Sequence, residues 1–178
     1  MNGIVTRLPE FIKNEVESIW KHFNSEFEMD RVMSTSFAHI TWVIAHSCEE
    51  ETVGEILKEL RKVSVPFVIK TNGIGIFTGK RPAMYIQIKP CIEILNFQSK
   101  IYRLFSPYAQ RLKKHYKPEV WIPHISIAIE DLTLENVSDA VKFILNKTFK
   151  YDIRIESFSL VRKERNQNME IINRYYLY

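Results

Sequence analysis

The sequence predicts an α+β fold of two pseudo-symmetric lobes, each a small, mostly antiparallel sheet backed by two helices, with a cleft between the sheets. Three observations predict it. Apolar residues recur at spacings of three and four in some segments and alternate in others. The order strand, helix, strand, helix, hairpin occurs twice, at an offset of about 80 to 85 residues. Finally, two similar apolar strands at equivalent places of the two copies each carry a histidine near the start.

The first copy covers roughly the first half of the chain. In order, we expect a short strand at 3–10, a helix with an apolar stripe from Ile12 to Phe23, a loop at 24–36, a strand at 37–46, a helix at 47–63 capped by Ser47, and a hairpin with strands at 65–79 and 83–89. The residues 80–82, "KRP", are typical of the turn of that hairpin.

The second copy begins at Pro90. We expect a helix at 91–105, a basic loop with aromatic residues at 106–120, a strand at 121–129, a helix at 132–147, and a hairpin with strands at 151–164 and 169–178. No flexible linker separates the copies. We therefore expect a single domain over 1–178, with a first lobe at approximately 9–82, a second lobe at approximately 90–178, and room for exchange of the last strand between them.

Composition excludes several classes of protein. The chain is 46% hydrophobic and 26% charged, which is typical of a globular protein and not of a disordered one. Its net charge of +4 is compatible with a polyanionic partner. The two cysteines are far apart, which argues against a disulfide framework and a zinc site, and no apolar run reaches the length of a membrane span. We expect a cytoplasmic monomer with no metal and no membrane partner.

The two histidine strands share a pattern. Because side chains alternate across a strand, His39 and Thr41 lie on one face of the first strand, and we expect Val43 and Ala45 to follow them on that face. The opposite face is bulky and apolar, which suits packing under helices.

In the second strand, His124 and Ser126 have the same parity, and we expect Ala128 to follow them. Two such faces that meet across a pseudo-two-fold axis would line a cleft with one imidazole and one hydroxyl from each lobe.

These motifs carry a resemblance to a known family. The segments "HIT" at 39–41 and "HIS" at 124–126 resemble the repeated His-x-Thr/Ser motifs of the two-histidine (2H) phosphoesterase superfamily, which includes bacterial 2'-5' RNA ligases and RNA 2',3'-cyclic phosphodiesterases. Pro123, directly before the second histidine, is also common there. The resemblance covers nearly the whole chain as a match of pattern.

The resemblance implies a function for the cleft. His39 and His124 would be the catalytic acid and base, Thr41 and Ser126 would bind the phosphate, and no cofactor would be needed. The substrate would be a 2',3'-cyclic phosphate on an RNA end or a nucleotide, opened by water to a 2'-phosphate. The resemblance favours His39 as the acid and His124 as the base.

Two alternatives stay open. A 2'-5' RNA ligase or 2'-5' phosphodiesterase would use the same four residues, because a 5'-hydroxyl can replace water as the attacking group. A non-catalytic RNA-binding module would keep the cleft without turnover. The completeness of both motifs favours an enzyme over the module.

Further residues could contact the substrate. Basic side chains near the cleft could meet phosphates and aromatic side chains could stack on bases. These candidates are Arg31, Lys80, Arg81, Tyr108, Tyr116 and Trp121. The loop at 106–120 is the expected determinant of specificity, since it lies beside the second motif. The other three histidines, His22, His46 and His115, have no motif, and we expect surface or helix-contact roles for them.

Overall fold

The computed structural model describes residues 1–178, which form one eight-stranded antiparallel sheet, one two-stranded ribbon and four α-helices. The helices are α1 (Glu10–Phe27), α2 (Glu50–Lys62), α3 (Ile92–Phe105) and α4 (Val137–Leu145). The strands are β1 (Asn2–Arg7), β2 (His39–Ala45), β3 (Ser47–Cys48), β4 (Phe67–Phe77), β5 (Ala83–Ile88), β6 (Ala109–Gln110), β7 (His124–Ile129), β8 (Asp152–Ile155), β9 (Ser157–Arg162) and β10 (Glu170–Tyr176). None of the helices is long and apolar enough to cross a membrane. The α+β class with two lobes is confirmed.

The large sheet has the strand order β10-β9-β1-β2-β7-β5-β4-β8. The two histidine strands, β2 and β7, are neighbours at its centre. The C-terminal hairpin of β9 and β10 lies beside β1, whereas the hairpin of β4 and β5 lies beside β7. Each half of the sheet thus takes a hairpin from the other half of the chain. The lobe boundaries at 9–82 and 90–178 stay a prediction.

The helices cross between the halves in the same way. Helix α1 packs against β7, and α3 packs against β2. Their apolar stripes and the apolar face of the sheet enclose one core of 40 buried residues, which includes Trp42, Phe23 and Phe105. One large core of this kind makes the two halves a single packed unit, since neither half can expose its helix-facing side to water without losing burial of apolar surface.

Some predicted boundaries are wrong. Ser47 does not cap α2; it lies in the two-residue strand β3, and Glu49 precedes the helix without a side-chain cap. Helix α4 is shorter than the predicted 132–147, because the Asn136 and Thr133 side chains bond to the local backbone before it starts. The segment 151–164 divides at Glu156 into two strands, one at the edge beside β4 and one beside β1.

Candidate active site

The pairing of β2 with β7 sets the geometry of the two motifs. Ile40 is opposite Ile125, and this is the one paired position between the strands. Residues opposite each other in an antiparallel pair point to the same face. One step to either side of the pair, His39 is therefore across from Ser126, and Thr41 is across from His124. All four motif side chains lie on one face, with each hydroxyl opposite the imidazole of the other strand.

A β-bulge follows the first motif. Thr41 is opposite Val5 of β1, but the next paired residue, Val43, is opposite Ile4, so that Trp42 is one extra residue on β2. The bulge reverses the alternation of the strand. Val43 is fully buried, against our prediction that it continues the histidine face, and the same holds for Ala45.

The second motif is followed by an equivalent bulge. Ser126 is opposite Tyr85 of β5 and Ala128 is opposite Met84, which leaves Ile127 as the extra residue on β7. Ala128 is consequently buried, again against prediction, whereas Ile129 turns toward the cavity described below. Both strands thus present their histidine and hydroxyl and then turn away, as bulges beside functional sites commonly do.

The two imidazoles are held in the same way. Nδ1 of His39 lies 2.8 Å from the carbonyl oxygen of Phe37, and Nδ1 of His124 lies 2.6 Å from that of Ile122. A carbonyl only accepts hydrogen bonds, so Nδ1 carries the proton in both rings. Nε2 of each ring is left with a lone pair in the neutral state and with a proton to give in the charged state.

Both rings have lowered pKa values. The pKa of His39 is lowered to about 4, chiefly by burial and to a lesser extent by the charge of His124. Burial also lowers the pKa of His124, and the charge of His115 adds to this effect. The hydrogen bonds to the carbonyls of Phe37 and Ile122 act in the opposite direction. The register of the β2–β7 pair places the two imidazoles on neighbouring strands and on one face.

The hydroxyl residues are anchored by tryptophans. The indole of Trp121 donates to the carbonyl oxygen of Thr41 at 3.3 Å, and that of Trp20, in α1, donates to the carbonyl oxygen of Ser126 at 3.1 Å. The Ser126 hydroxyl makes no hydrogen bond within the protein, so it is free to donate to a ligand.

A cavity of about 570 Å³ lies beside the second motif. This size is in the range of ligand pockets for small molecules. Its thirteen lining residues are Phe77, Arg81, Ala83, Lys113, His115, Tyr116, Val120, Trp121, Ile122, His124, Ser126, Ile129 and Glu130. His39 and Thr41 are not among them. The motif face is therefore asymmetric: one imidazole lies in the wall of a cavity, and the other lies outside it.

Aromatic rings support His124 from one side. Phe77 stacks on Tyr85 with ring centroids 4.2 Å apart, and both rings meet the imidazole of His124 edge-on, at 5.1 and 5.3 Å. Tyr85 is opposite Gly75 in the β4–β5 pair, and its ring fills the space that a Cβ at that position would need. These contacts limit the rotation of the His124 ring.

Three of the six further candidates line the cavity, namely Arg81, Tyr116 and Trp121. Tyr116 and Trp121 are only 7% and 6% exposed, so they form walls and do not offer the free ring faces for stacking that the sequence had indicated. Burial raises the pKa of Tyr116 to about 12, and the neighbouring Thr41 hydroxyl partly offsets this rise. Tyr116 thus extends the cavity wall toward the first motif.

The other three candidates, Arg31, Lys80 and Tyr108, do not line the cavity. The guanidinium of Arg31 contacts Glu130 at 3.4 Å, and that of Arg81 contacts the same carboxylate at 3.2 Å. Lys80 is exposed in the hairpin turn and has no ion pair. Tyr108 packs against the core and does not line the cavity, which argues against its predicted role in stacking.

Lys113 and His115 belong to the basic loop that the sequence indicates for substrate contact, although neither was named singly as a candidate, and both line the cavity. His115 was expected at the surface, and it is exposed, but it also lines the cavity and acts on the pKa of His124. The available signal was the prediction that the loop at 106–120 lies beside the second motif. His22, by contrast, has the expected helix-contact role, since it stacks on Phe143 of α4 with ring centroids 3.6 Å apart. No group of three or more His, Cys, Asp or Glu side chains could hold a metal ion.

Comparison with known proteins establishes the class. The family model described as the 2'-5' RNA ligase superfamily matches residues 8–167. The chain therefore belongs to this superfamily of 2H phosphoesterases, as the paired motifs had indicated.

The relatives to which it is similar include OB1230 of Oceanobacillus iheyensis, a protein assigned to the phosphoesterases, with 22% identity over 142 residues that cover 78% of this chain and 79% of that one. Among solved structures, TT0787 of Thermus thermophilus matches with a TM-score of 0.65 and 15% identity, covering 99% of this chain and 97% of that one. The E. coli LigT complexed with ATP matches with a TM-score of 0.62 and 12% identity, covering 99% and 96%. At these identities the two structures show a shared fold.

Proposed function

We propose that the protein is a metal-independent phosphoesterase that opens 2',3'-cyclic phosphates, on RNA ends or nucleotides, to 2'-phosphates. The observation that carries the proposal is the matched pair of imidazoles. Each donates its Nδ1–H to the carbonyl two residues earlier, which aims an Nε2 of defined tautomer at the ligand. A base and an acid of this kind are what cleavage of a phosphodiester needs.

The position of the cavity supports one orientation of the substrate between the two histidines. A cavity of about 570 Å³ beside His124 and Ser126 is large enough for a nucleoside, whereas His39 lies outside it. With the ribose in the cavity, His124 lies on the side of the leaving 3'-oxygen and His39 on the far side of the phosphorus, where water attacks. The cavity thus favours His124 as the acid and His39 as the base, opposite to the assignment that the family resemblance favoured.

The hydrolysis step follows from the positions proposed for His39 and His124. Nε2 of neutral His39 takes a proton from water as the water oxygen bonds to phosphorus. The bond between phosphorus and the 3'-oxygen breaks, and Nε2–H of protonated His124 donates its proton to that oxygen. The products are a 2'-phosphate and a 3'-hydroxyl, and His39 passes its proton to solvent before the next cycle. The lowered pKa of His39 suits a base that must be neutral.

The two hydroxyls stabilise the charge that develops on the phosphate. Thr41 and Ser126 lie one on each strand of the β2–β7 pair, each across from the other strand's imidazole. Each can donate to one of the two non-bridging oxygens, which carry more negative charge in the transition state than in the substrate. Removing one donor of this type is expected to lower kcat by about 100-fold.

The same site would serve a 2'-5' RNA ligase if a 5'-hydroxyl replaced water, because the reverse reaction passes through the same transition state. We propose hydrolysis as the main activity and a cytoplasmic location, which the two unpaired cysteines support.

The test is turnover of adenosine 2',3'-cyclic phosphate in EDTA, with separation of the 2'- and 3'-phosphate products. We expect adenosine 2'-phosphate from the wild type, and a loss of at least about 100-fold in kcat for His39→Ala and for His124→Ala. His46→Ala, exposed directly after β2, is the matched control and should keep wild-type activity. Addition of an RNA with a 5'-hydroxyl tests ligation. Tight RNA binding without turnover of any cyclic or 2'-5' substrate would instead indicate the binding module.

A further inference from the structure

The cavity wall contains positive charge without a counter-charge. Lys113 and His115 both line the cavity, and neither makes an ion pair. The other permanent cation of the wall, Arg81, is bound to Glu130, the one acidic residue there. Glu130 also holds Arg31, so its two carboxylate oxygens are both occupied by guanidinium groups. The unmatched positive charge of the wall is therefore that of Lys113, and the imidazole of His115 lines the same cavity.

These two side chains also lie close to the catalytic imidazole. Burial lowers the pKa of His115 and the charge of Lys113 adds to this effect, and the pKa of His124 is lowered by burial first and then by His115. A bound anion would be attracted by the unpaired ammonium group of Lys113 and would accept a hydrogen bond from the imidazole of His115. A counter-charge that the protein does not supply is expected to come with the ligand.

The backbone under these residues is fixed. The Lys113 N–H donates to the carbonyl of Ile44 in β2 at 3.0 Å, and the side-chain amide of buried Gln98 donates to the carbonyl of Tyr116 at 2.7 Å. His115 lies between these two anchors, and its ring packs against that of Tyr116 at 4.4 Å. Lys113 and His115 are thus held against the strand that carries His39 and Thr41, and this fixed placement is typical of a binding site.

We propose that Lys113 and His115 form a second phosphate subsite, which binds a phosphate on the 5'-oxygen of the nucleotide whose cyclic phosphate lies at His39 and His124. With the nucleoside in the cavity, as the proposed function has it, the 5'-oxygen is the other ribose position that carries phosphate in RNA. The substrate class is then a cyclic phosphate with a second phosphate. That phosphate is either a 5'-monoester on a mononucleotide or the diester to the preceding residue of an RNA chain.

The test measures binding of products, so it does not depend on turnover. Dissociation constants are determined by calorimetry for adenosine 2'-phosphate, adenosine 2',5'-bisphosphate and the dinucleotide ApA with a terminal 2'-phosphate. We expect the wild type to bind at least one doubly phosphorylated ligand about tenfold more tightly than adenosine 2'-phosphate, as a charge-assisted contact provides. Preference for the bisphosphate assigns the subsite to a monoester, and preference for the dinucleotide assigns it to an RNA chain.

Lys113→Gln and His115→Gln should each reduce this affinity ratio severalfold, and the double variant should bring it close to one. Lys114→Gln is the matched control, since Lys114 is exposed on the same loop but does not line the cavity, and it should keep the wild-type ratio. Equal binding of all three ligands by the wild type, or a ratio that survives in the double variant, would overturn the proposal. A ratio that behaves as expected in a protein without turnover would refute the proposed function and leave the subsite intact.

Discussion

Ile40 of β2 pairs with Ile125 of β7, and beyond this pair the two strands separate. The single pair aligns the two motifs on one face. It also leaves the β7-facing edge of β2 without a strand partner past Thr41. The loop takes that place: the Lys113 N–H bonds to the Ile44 carbonyl, and the His46 N–H bonds to the Gln110 carbonyl. This single strand pair thus accounts both for the alignment of the four motif side chains and for the entry of the loop that forms the cavity wall.

Gln98 should control how firmly that loop is held. Its side-chain amide donates to the carbonyls of Trp42 and Tyr116, at 3.1 and 2.7 Å, from a fully buried position in α3. Gln98→Met has a similar size but no donor, so we expect a loss of about 1 to 2 kcal/mol of unfolding free energy. The loss stays small because Oε1 of Gln98 is already buried without a partner. Urea unfolding measures it.

The same variant should raise KM more than it lowers kcat, because it loosens a wall of the cavity and leaves both imidazoles in place. Hydrogen exchange of residues 111–121 should become faster. Asn96→Met, on the exposed side of α3, is the control and should change neither KM nor the hydrogen exchange of residues 111–121. Unchanged exchange in Gln98→Met would contradict the role of Gln98 as the anchor.

Gly75 should be required by the ring of Tyr85. A Cβ at position 75 would lie 2.8 Å from Cε2 of that ring, so Gly75→Ala must displace Tyr85 and with it the stacked Phe77. We expect a loss of about 1 to 3 kcal/mol in the free energy of unfolding and a lower kcat, since His124 loses its support. In the control Gly54→Ala, the new Cβ would meet only the Tyr175 hydroxyl, at 3.5 Å. Because alanine favours the helix, this variant should be more stable by about 0.5 to 1 kcal/mol.

Stability should depend on pH through His39. Between pH 6.5, the ordinary pKa, and about 4, its pKa in the folded protein, the unfolded chain binds a proton that the native ring does not. The free energy of unfolding therefore falls as pH falls through this window. For a partly exposed ring we expect His39 to account for about 1 kcal/mol between pH 7 and pH 5. His39→Asn can still donate to the Phe37 carbonyl but does not titrate. Between pH 7 and pH 5, its free energy of unfolding in urea should fall by about 1 kcal/mol less than that of the wild type. Equal losses in both proteins would contradict this account of the His39 pKa.

The activity of the free enzyme should peak on the acidic side. The base His39 must be neutral, which it becomes above a pKa of about 4, and the acid His124 must carry a proton, which it loses above a pKa that is lowered from its usual value. We expect kcat/KM to rise through about pH 4, to reach a maximum below 6.5 and to decline toward pH 8. Measurement over about pH 4 to 9, with circular dichroism to check folding at each pH, gives the profile. A steady rise up to about pH 8 would show that no protonated imidazole is needed.

Much of the fold and the motif pair could be predicted from the sequence, because both depend on local patterns. The helical stripe from Ile12 to Phe23 and the alternation around His39 and His124 are properties of short segments. The bulges at Trp42 and Ile127 could not be predicted in this way, since they arise from the register with β1 and β5 and involve no glycine. The one local sign was that Val43, an apolar residue, had been assigned to the polar face.

The cavity wall depended on tertiary structure. The bond of Lys113 to Ile44 requires that β2 have no strand partner there on its β7-facing edge, and nothing in the local sequence of either residue signals this. Likewise, Tyr116 looked like a free aromatic residue of a basic loop, and only its packing against the core shows that it is buried. Charge and aromatic content located the loop, and the fold determined which of its side chains reach the cavity.

In the proposed reaction, the two imidazoles act on opposite sides of one phosphate, with His124 on the side of the leaving 3'-oxygen. A cyclic substrate with sulfur in place of that oxygen tests it most directly, because a thiolate leaves without a proton and needs no acid. We predict that His124→Ala cleaves the sulfur substrate at a rate within about tenfold of the wild type, whereas His39→Ala stays inactive on both substrates. Rescue of His39→Ala in place of His124→Ala would reverse the two roles, and rescue of neither would contradict the claim that these imidazoles divide acid and base between them.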